Sequence, residues 1–549
     1  MRIRTPIAVA ALFALATPAA TQDHKELGRM WTFEHAPLDW FEEAYGFRPS
    51  EEWLQALRLA SLRFGQGCSS SFVSPNGLII TNNHCAQDYV GQVQPAEEDW
   101  VLNGFFANSL EQEVPVPGLT VQQLRMQEDI TAKMNEGLTD EMSAQERQEK
   151  LRDNRIAITE AAKEAHPELT HEIVTLYHGG MYQLYSYNVY SDIRLVCAPA
   201  KNIAEFGGDP DNFTYPRFCL DFALCRAYEG DKPADTSAHY LRWNGEGPHE
   251  GDVVFVTGHP GSTGRLNTIA QMEYMRDVQY PTALRGIDMQ LGRMREAMAS
   301  SEEAAKELRP RLLMFENARK AYGGYLAGLE NPEIMNVKRN AEKELRDAIA
   351  ADPKLEAKFG DAWTELEKIV EHKREDGGRP REESQEEQEM IKRIGEATFA
   401  VYGNDIPPDA TFTLRISDGV VKGYDYNGTR APWFTSLYGL FARHTEFGGK
   451  DPFRMPDNWF AKRNELDMTT PFNFVTTNDI IGGNSGSPLV DKEGRFVGLV
   501  FDGNIESLGN RFVFTDDVAR TVCVHPAIIT LALREVYDRP ALADELEGK

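Results

Sequence analysis

A serine set among glycines, Gly482-Gly483-Asn484-Ser485-Gly486-Ser487-Pro488, and a histidine far upstream in Thr81-Asn82-Asn83-His84-Cys85 place the strongest constraint on how this chain folds. Glycines on both sides let the backbone turn sharply and aim N–H groups at one point, which is what a developing oxyanion needs. A serine hydroxyl is a weak nucleophile at its free pKa and depends on a neighbouring base. His84 is the base on offer, so the fold is expected to bring two remote segments to one groove.

Both segments lie in strand-like text. Residues 71–74 and 78–81 flank Pro75-Asn76-Gly77 and read as a hairpin that ends at His84. Residues 124–166 are polar and glycine-poor, which predicts one or two exposed helices. Strand character returns at 182–190, 193–197, 222–228 and 253–257. From Asn267 to about Ala397 it gives way to Glu, Lys, Arg, Ala, Leu and Met. Met289, Leu291 and Met294 recur there at helical spacing, as do Leu312, Phe315 and Tyr322. The tail of this stretch, 371–389, is nearly all charge and reads as a solvated connector or a mobile loop. Strand text resumes at 411–417, 420–424, 472–477, 496–501 and 511–514. Short strands parted by Gly, Pro and Asp turns suggest barrels or sandwiches rather than a parallel α/β sheet. The expected division is a first β part over 21–266 with His84, a helical domain over 267–405, and a second β part over 406–549 with Ser485.

The start of the chain reads as an export leader over residues 1–20: Arg2 and Arg4, an apolar run over 7–16, then small residues. That run is too short to span a bilayer, and no later run of about 20 apolar residues follows. The expectation is an exported protein without a membrane span, periplasmic or secreted. A net charge of −27 argues against nucleic acid as a partner. Of the six cysteines, Cys68 and Cys85 bracket the hairpin and are expected to pair. Cys197, Cys219, Cys225 and Cys523 leave three pairings open. The twelve histidines show no metal-ligand spacing, and there is no phosphate-loop or dinucleotide fingerprint, so no metal and no cofactor is expected.

The order His…Ser, with the histidine closing a hairpin and Gly-Asn-Ser-Gly preceding a strand, resembles the chymotrypsin architecture. A closer resemblance covers most of the chain: the S46 peptidases, the dipeptidyl-peptidase 7 and dipeptidyl-peptidase 11 group. It is carried by residues 67–85, by Phe206-Gly-Gly-Asp-Pro-Asp-Asn-Phe-Thr-Tyr-Pro-Arg217, by Gly258-His-Pro-Gly-Ser-Thr263, by 482–488 and by Leu499-Val-Phe-Asp-Gly-Asn504. The resemblance implies a mainly β fold with inserted α, a chymotrypsin-like double β-barrel plus a helical cap. It also implies a serine exopeptidase that releases dipeptides from the free N-terminus of oligopeptides, and a homodimer.

Carried over residue by residue, the resemblance makes Asp221, in Phe218-Cys-Leu-Asp-Phe222, the third triad member beside His84 and Ser485. The residues alone do not separate it from Asp192, Asp209 or Asp211. The backbone N–H groups of Gly483 and Ser485 become the oxyanion hole. Asn212, Phe213, Asn317 and Asp502 become the groups that capture the substrate's α-ammonium. Gly503 follows Asp502 where the acid-selective branch carries arginine, which implies an apolar or aromatic side chain at P1, the residue donating the cleaved carbonyl. Asn484 stands where zymogen-type relatives carry an aspartate, so activation by a newly cut chain terminus is not expected. The sequence departs from the family at Asn83 and Phe213, where a second histidine and a tryptophan are usual. Its Asp221-to-Ser485 interval is also shorter, implying a reduced cap. The rival readings are an endopeptidase of the same fold with a widened cleft, and a catalytically silent peptide-binding protein.

Overall fold

The computed structural model describes residues 24–139, 141–375 and 383–549, so the leader expected over 1–20 lies outside the described residues. The architecture is sheet-rich with inserted helices. Two large antiparallel sheets carry the histidine and serine segments, and helices are inserted between two neighbouring strands of the second sheet.

Eleven strands form the first sheet. Its main path runs Phe105–Phe106, Asp192–Ala198, Ala223–Glu229, Leu78–Thr81, Cys68–Phe72, Ser61–Phe64, Val121–Asp129, Met181–Tyr190, Thr170–Leu176. The predicted hairpin is present, with Ser71 opposite Ile80 and Phe72 opposite Ile79. All four residues of Leu78–Thr81 are buried, as expected of a strand with cover on both faces. His84 follows in the first turn of helix Asn83–Val93. Pairing of Ala223 with Thr81 brings the residues just before one strand beside those just after the other, and this register sets Asp221 against His84.

The second sheet runs Arg415–Val420, Val253–Gly258, Pro488–Val490, Phe496–Gly503, Thr521–Val524, Pro471–Thr476, Phe434–Ser436. Val253–Gly258 and Arg415–Val420 pair along their whole length although the helices separate them in sequence. Every named element from Ile269 to Tyr402 is helical, the longest being Tyr280–Ser300, Glu302–Glu330 and Pro332–Ala351. These helices have a core of their own around Trp363, Leu366, Ile349 and Ile394. A second cluster, with Met272, Tyr280 and Leu329 against Phe512, ties them to the segment that follows strand Phe496–Gly503.

Five local expectations differ from the structure, the first being the charged stretch 371–389, whose residues 371–375 and 385–389 lie in helices Ala362–Glu375 and Gln385–Tyr402, with Glu387 buried against Lys373. Residues 124–129, expected to be helical, complete strand Val121–Asp129, and the helices begin only at Thr131–Met134 and Ala144–Ala165. Cross-strand pairing with Met181–Tyr190 decides this against a polar, helix-favouring composition. Residues 511–514 are not a strand: Arg511 ends the 3₁₀ segment Ile505–Arg511, and Phe512 just after it packs under the helices. Residues 411–414 stay outside strand Arg415–Val420 and contribute only an isolated bridge from Thr411 to Ser262. Met289 is 54 % exposed while its helical-spacing partners Leu291 and Met294 are buried, so the apolar stripe is narrower than the spacing implied.

Candidate active site

His84 and Asp221 are in direct contact. The ring Nδ1 donates to Asp221 Oδ2 at 2.6 Å, and the backbone N–H of His84 donates to Asp221 Oδ1 at 3.0 Å. Asn82 Nδ2 adds a bond to the Asp221 carbonyl at 2.8 Å. Asp221 lies between Leu220 and Phe222, both fully buried, and each such side chain contributes about 1.5–3 kcal/mol that also locks the acid in place. The Asp221 side chain is only 5 % exposed, whereas the His84 side chain keeps 35 % of its surface open. Burial works against the imidazolium, but the charge and hydrogen bond of Asp221 outweigh it and hold the His84 pKa above its ordinary value. With Nδ1 committed to the carboxylate, Nε2 is left to accept a proton.

The three aspartates that the residues alone could not exclude are engaged elsewhere. Asp192 pairs with Arg194 at 3.1 Å, Asp209 with Lys320 at 3.2 Å and Asp211 with Arg443 at 2.8 Å.

Ser485 is held beside the His84 segment through its backbone. Its carbonyl accepts from Ser69 N–H at 2.8 Å and lies 3.8 Å from Sγ of Cys85, the residue after His84. Cys68 and Cys85 form the expected disulfide, so the strand bearing Ser69 and the helix bearing His84 are covalently tied. The sulfurs lie close to the His84 ring, yet with both spent on the disulfide they offer no thiolate to a metal. Among the described residues the Ser485 hydroxyl makes no hydrogen bond to His84. Such contacts are often long before substrate binds. The remaining four cysteines are buried and unpaired.

Each peptide unit of the 482–486 turn is pinned. Gly261 N–H holds the Gly482 carbonyl at 2.7 Å, Ser69 Oγ donates to the Gly483 carbonyl at 2.9 Å, and Ser487 N–H holds the Asn484 carbonyl at 2.9 Å. A trans peptide is planar, so anchoring a carbonyl on one side aims the following N–H to the other. The N–H groups of Gly483 and Ser485 are thereby fixed, and neither donates to another group among the described residues. Two N–H donors held in this way can stabilise an oxyanion. Gly483 is required: its φ is +105°, and a Cβ would stand 2.4 Å from the His259 carbonyl. Asn484 turns inward, its Nδ2 bonding the Ile481 carbonyl at 3.2 Å and its Oδ1 accepting from Ser487 Oγ at 3.2 Å.

The four residues expected at the substrate amine also converge. Asn212 Nδ2, at the end of the short turn Gly208–Asp211, donates to Asn317 Oδ1 of helix Glu302–Glu330 at 3.0 Å. Phe213 N–H donates to Asp502 Oδ2 at 3.1 Å, and Phe213 itself holds φ +58°, the left-handed region that non-glycine residues enter only when their surroundings enforce it. Asp502 is not a solitary carboxylate. Arg217 Nη1 lies 2.6 Å from its Oδ2, with side chains 8 % and 9 % exposed. Burial disfavours the Arg217 cation, but Cys219 and Asp502 beside it more than reverse that and raise its pKa. Gly503 N–H takes Oδ1 at 2.9 Å. Gly503 does not adopt a positive φ, so backbone conformation is not what demands a glycine there. A Cβ would meet Ser507 Oγ at 2.5 Å.

Sequence reasoning missed Arg217, Ser69 and Gly261 as working parts of the site. All three fall inside segments already singled out, at the end of 206–217, just after Cys68 and within 258–263. Their roles are contacts to other segments and leave no local pattern.

A family model described as Peptidase S46 matches residues 25–381 and 372–548. Dipeptidyl-peptidase 7 of Porphyromonas gingivalis is 23% identical over 661 residues, covering 88% of this chain and 90% of that protein. An Asp/Glu-specific dipeptidyl-peptidase of Shewanella putrefaciens is 30% identical over 300 residues, covering 52% of this chain and 40% of that one. The crystal structure of Porphyromonas endodontalis DPP11 in complex with the dipeptide Arg-Asp shares the fold, with a TM-score of 0.83 at 17% identity, over 95% of this chain and 99% of that one.

Proposed function

The chain belongs to the peptidase S46 family, and from that premise we propose that it is a serine dipeptidyl-peptidase acting on oligopeptides with a free N-terminus. The observation that carries the reading is the joint placement of His84 on Asp221 and of Ser485 beside the disulfide that carries His84.

In this mechanism His84 Nε2 takes the proton of Ser485 Oγ as the oxygen attacks the scissile carbonyl. The bond formed is Oγ–C, and the former carbonyl oxygen becomes an oxyanion facing the Gly483 and Ser485 N–H groups. The imidazolium, favoured by Asp221, then protonates the leaving amine as the C–N bond breaks. Water repeats the sequence on the acyl-enzyme. Asn212, Asn317 and Asp502 hold the α-ammonium two residues before the cut, with the Arg217 pair fixing Asp502. A buried carboxylate that meets an ammonium favours termini over internal chain.

Gly503 places no side chain, and so no cation, beside the P1 position, which supports an apolar or aromatic residue there. The relatives include Asp/Glu-specific enzymes, so the comparisons leave that preference open. The sheets support a chymotrypsin-like double barrel. Val114–Pro115 pairs with Asp192–Ala198 while nearby Val121–Asp129 pairs with Ser61–Phe64, and a bridge joins Val421 to Thr476 across the second sheet. Export rests on the leader text at residues 1–20. Labelling with a fluorophosphonate tests the nucleophile, and a dipeptidyl-amide panel varying P1 tests the pocket. The reading requires labelling at Ser485 alone and a preference for apolar over acidic P1. Absence of labelling returns the chain to the silent-binding alternative, and preference for Asp or Glu overturns the assignment of Gly503.

A further inference from the structure

Helix Glu302–Glu330 packs along one stripe against the 3₁₀ segment Ile505–Arg511. Two glycines permit the closest approach: a Cβ on Gly324 would stand 2.3 Å from Leu508 Cδ1, and one on Gly328 3.1 Å from Gly509 Cα. The same face, continued toward the N-terminus at helical spacing, carries Lys320 and then Asn317. Asn317 is the residue that meets Asn212.

Lys320 is held where the stripe leaves the body. Its ammonium donates to the Asp209 carbonyl and, at 3.3 Å, to the Asn212 carbonyl, and lies 3.2 Å from Asp209 Oδ1. Two carbonyl acceptors and one carboxylate of a short turn thus converge on a cation supplied by the helix. A lysine this close to a subsite for an ammonium opposes binding by like-charge repulsion unless its charge is absorbed. The Asp209 carboxylate and two carbonyl dipoles absorb it. The other acids of this turn draw on different elements, Asp211 on Arg443 and the neighbouring Asp502 on Arg217. Among the described residues, Lys320 is therefore the ionic link between the helices and the 208–214 turn.

We propose that Lys320 is a positioning residue: its ammonium latches helix Glu302–Glu330 to the turn at Asp209 and Asn212, and so holds Asn317 against Asn212, where the substrate amine is read. The proposal rests on the amine-capture reading above. Lys320 touches neither substrate nor triad, and it acts on affinity for the terminus, not on acyl transfer.

The test uses the whole chain as Lys320→Met, Lys320→Arg, Asp209→Asn and the Lys320→Met/Asp209→Asn double variant. KM and kcat are measured on a dipeptidyl amide, alongside the rate of fluorophosphonate inactivation and the thermal midpoint. Lys320→Met and Asp209→Asn each raise KM roughly fivefold, the effect of losing about 1 kcal/mol. The double variant is no worse than Lys320→Met, Lys320→Arg stays near wild type, and the inactivation rate does not change. The latch is wrong if KM holds in a folded Lys320→Met, or if KM and inactivation rate worsen together. Should Lys320→Met fail to fold, Asp209→Asn decides by the same two readings. If the wild type cleaves an N-acetylated amide as readily as the free one, amine capture itself fails and takes the latch with it. If the wild type discriminates but Lys320→Met keeps its KM, only the latch falls.

Discussion

Replacing Gly261 by alanine adds one methyl group at a point where the consequences can be followed atom by atom. Gly261 N–H holds the Gly482 carbonyl at 2.7 Å, and through the planar peptide this fixes the direction of the Gly483 N–H. A Cβ on Gly261 would lie 2.7 Å from that same carbonyl oxygen, closer than real Cβ contacts come, and the obstruction is backbone. Gly261 does not use the left-handed region, so alanine brings no dihedral strain of its own. The Gly482–Gly483 peptide must therefore rotate, carrying an oxyanion donor off its line. Losing one such donor outright costs about 10²–10³ in kcat, or roughly 2.7–4 kcal/mol. Displacement without loss puts the expectation near the lower figure, a fall of about 100-fold. KM should change little, because the donor matters only once the oxyanion forms. Steady-state kinetics on a dipeptidyl amide, with inhibition by a dipeptidyl boronic acid and by the product dipeptide, separates the two effects. The boronate, which forms a tetrahedral adduct, should lose affinity in step with kcat while the product dipeptide does not. A kcat within a few-fold of wild type, or a raised KM at constant kcat, would refute the chain of contacts from Gly261 to the oxyanion.

Other expectations follow from the same contacts. His84 must be neutral to accept the Ser485 proton and its pKa lies above the ordinary 6.5, so kcat/KM should fall on acidification through a midpoint above that value. Asp221→Asn should move the midpoint down and cut kcat by about 10⁴, the cost of the wrong tautomer in a triad of this kind; a pH profile unmoved by the substitution contradicts the pairing. The Cys68–Cys85 bridge closes a separation of 17 residues, worth about 3 kcal/mol if its effect is loss of chain entropy in the unfolded state. Cys68→Ser/Cys85→Ser should lower unfolding stability by about that much and slow fluorophosphonate labelling, whereas a variant unchanged in both removes the bridge from the account. Gly286 and Gly292 lie within helix Tyr280–Ser300 with open space where a methyl group would stand, so alanine at either should add about 0.5–1 kcal/mol of stability with kcat unchanged. Denaturant titration checks this.

What could be read in advance followed the range over which each residue acts. The hairpin before His84 is local: a turn triplet between two apolar runs is enough to write it, and the disulfide that brackets it follows from the same few residues. The helical stretch declared itself by composition over many turns. Asp221 was different. Nothing near it distinguishes it from Asp209 or Asp211, and only the cross-sheet register of Ala223 with Thr81 makes it the partner of His84; the family resemblance supplied that register indirectly. Arg217 was invisible because its meaning is a single distance to Asp502, a residue of the other sheet. Residues 511–514 misled for a related reason. Their aromatic and β-branched residues suit a strand, but Phe512 is claimed by a cluster of helices that the local text does not mention.

The account stands or falls on whether the site cuts after two residues counted from a free amine. An unmodified hexapeptide with an apolar second residue and its N-acetylated twin, incubated with the wild type and with Ser485→Ala, give the decision by mass spectrometry of the earliest products. The account predicts an N-terminal dipeptide and the complementary tetrapeptide from the free peptide, with the acetylated twin intact and the Ser485→Ala protein inert. Internal cuts, release of single amino acids, or equal cleavage of the acetylated peptide would contradict it.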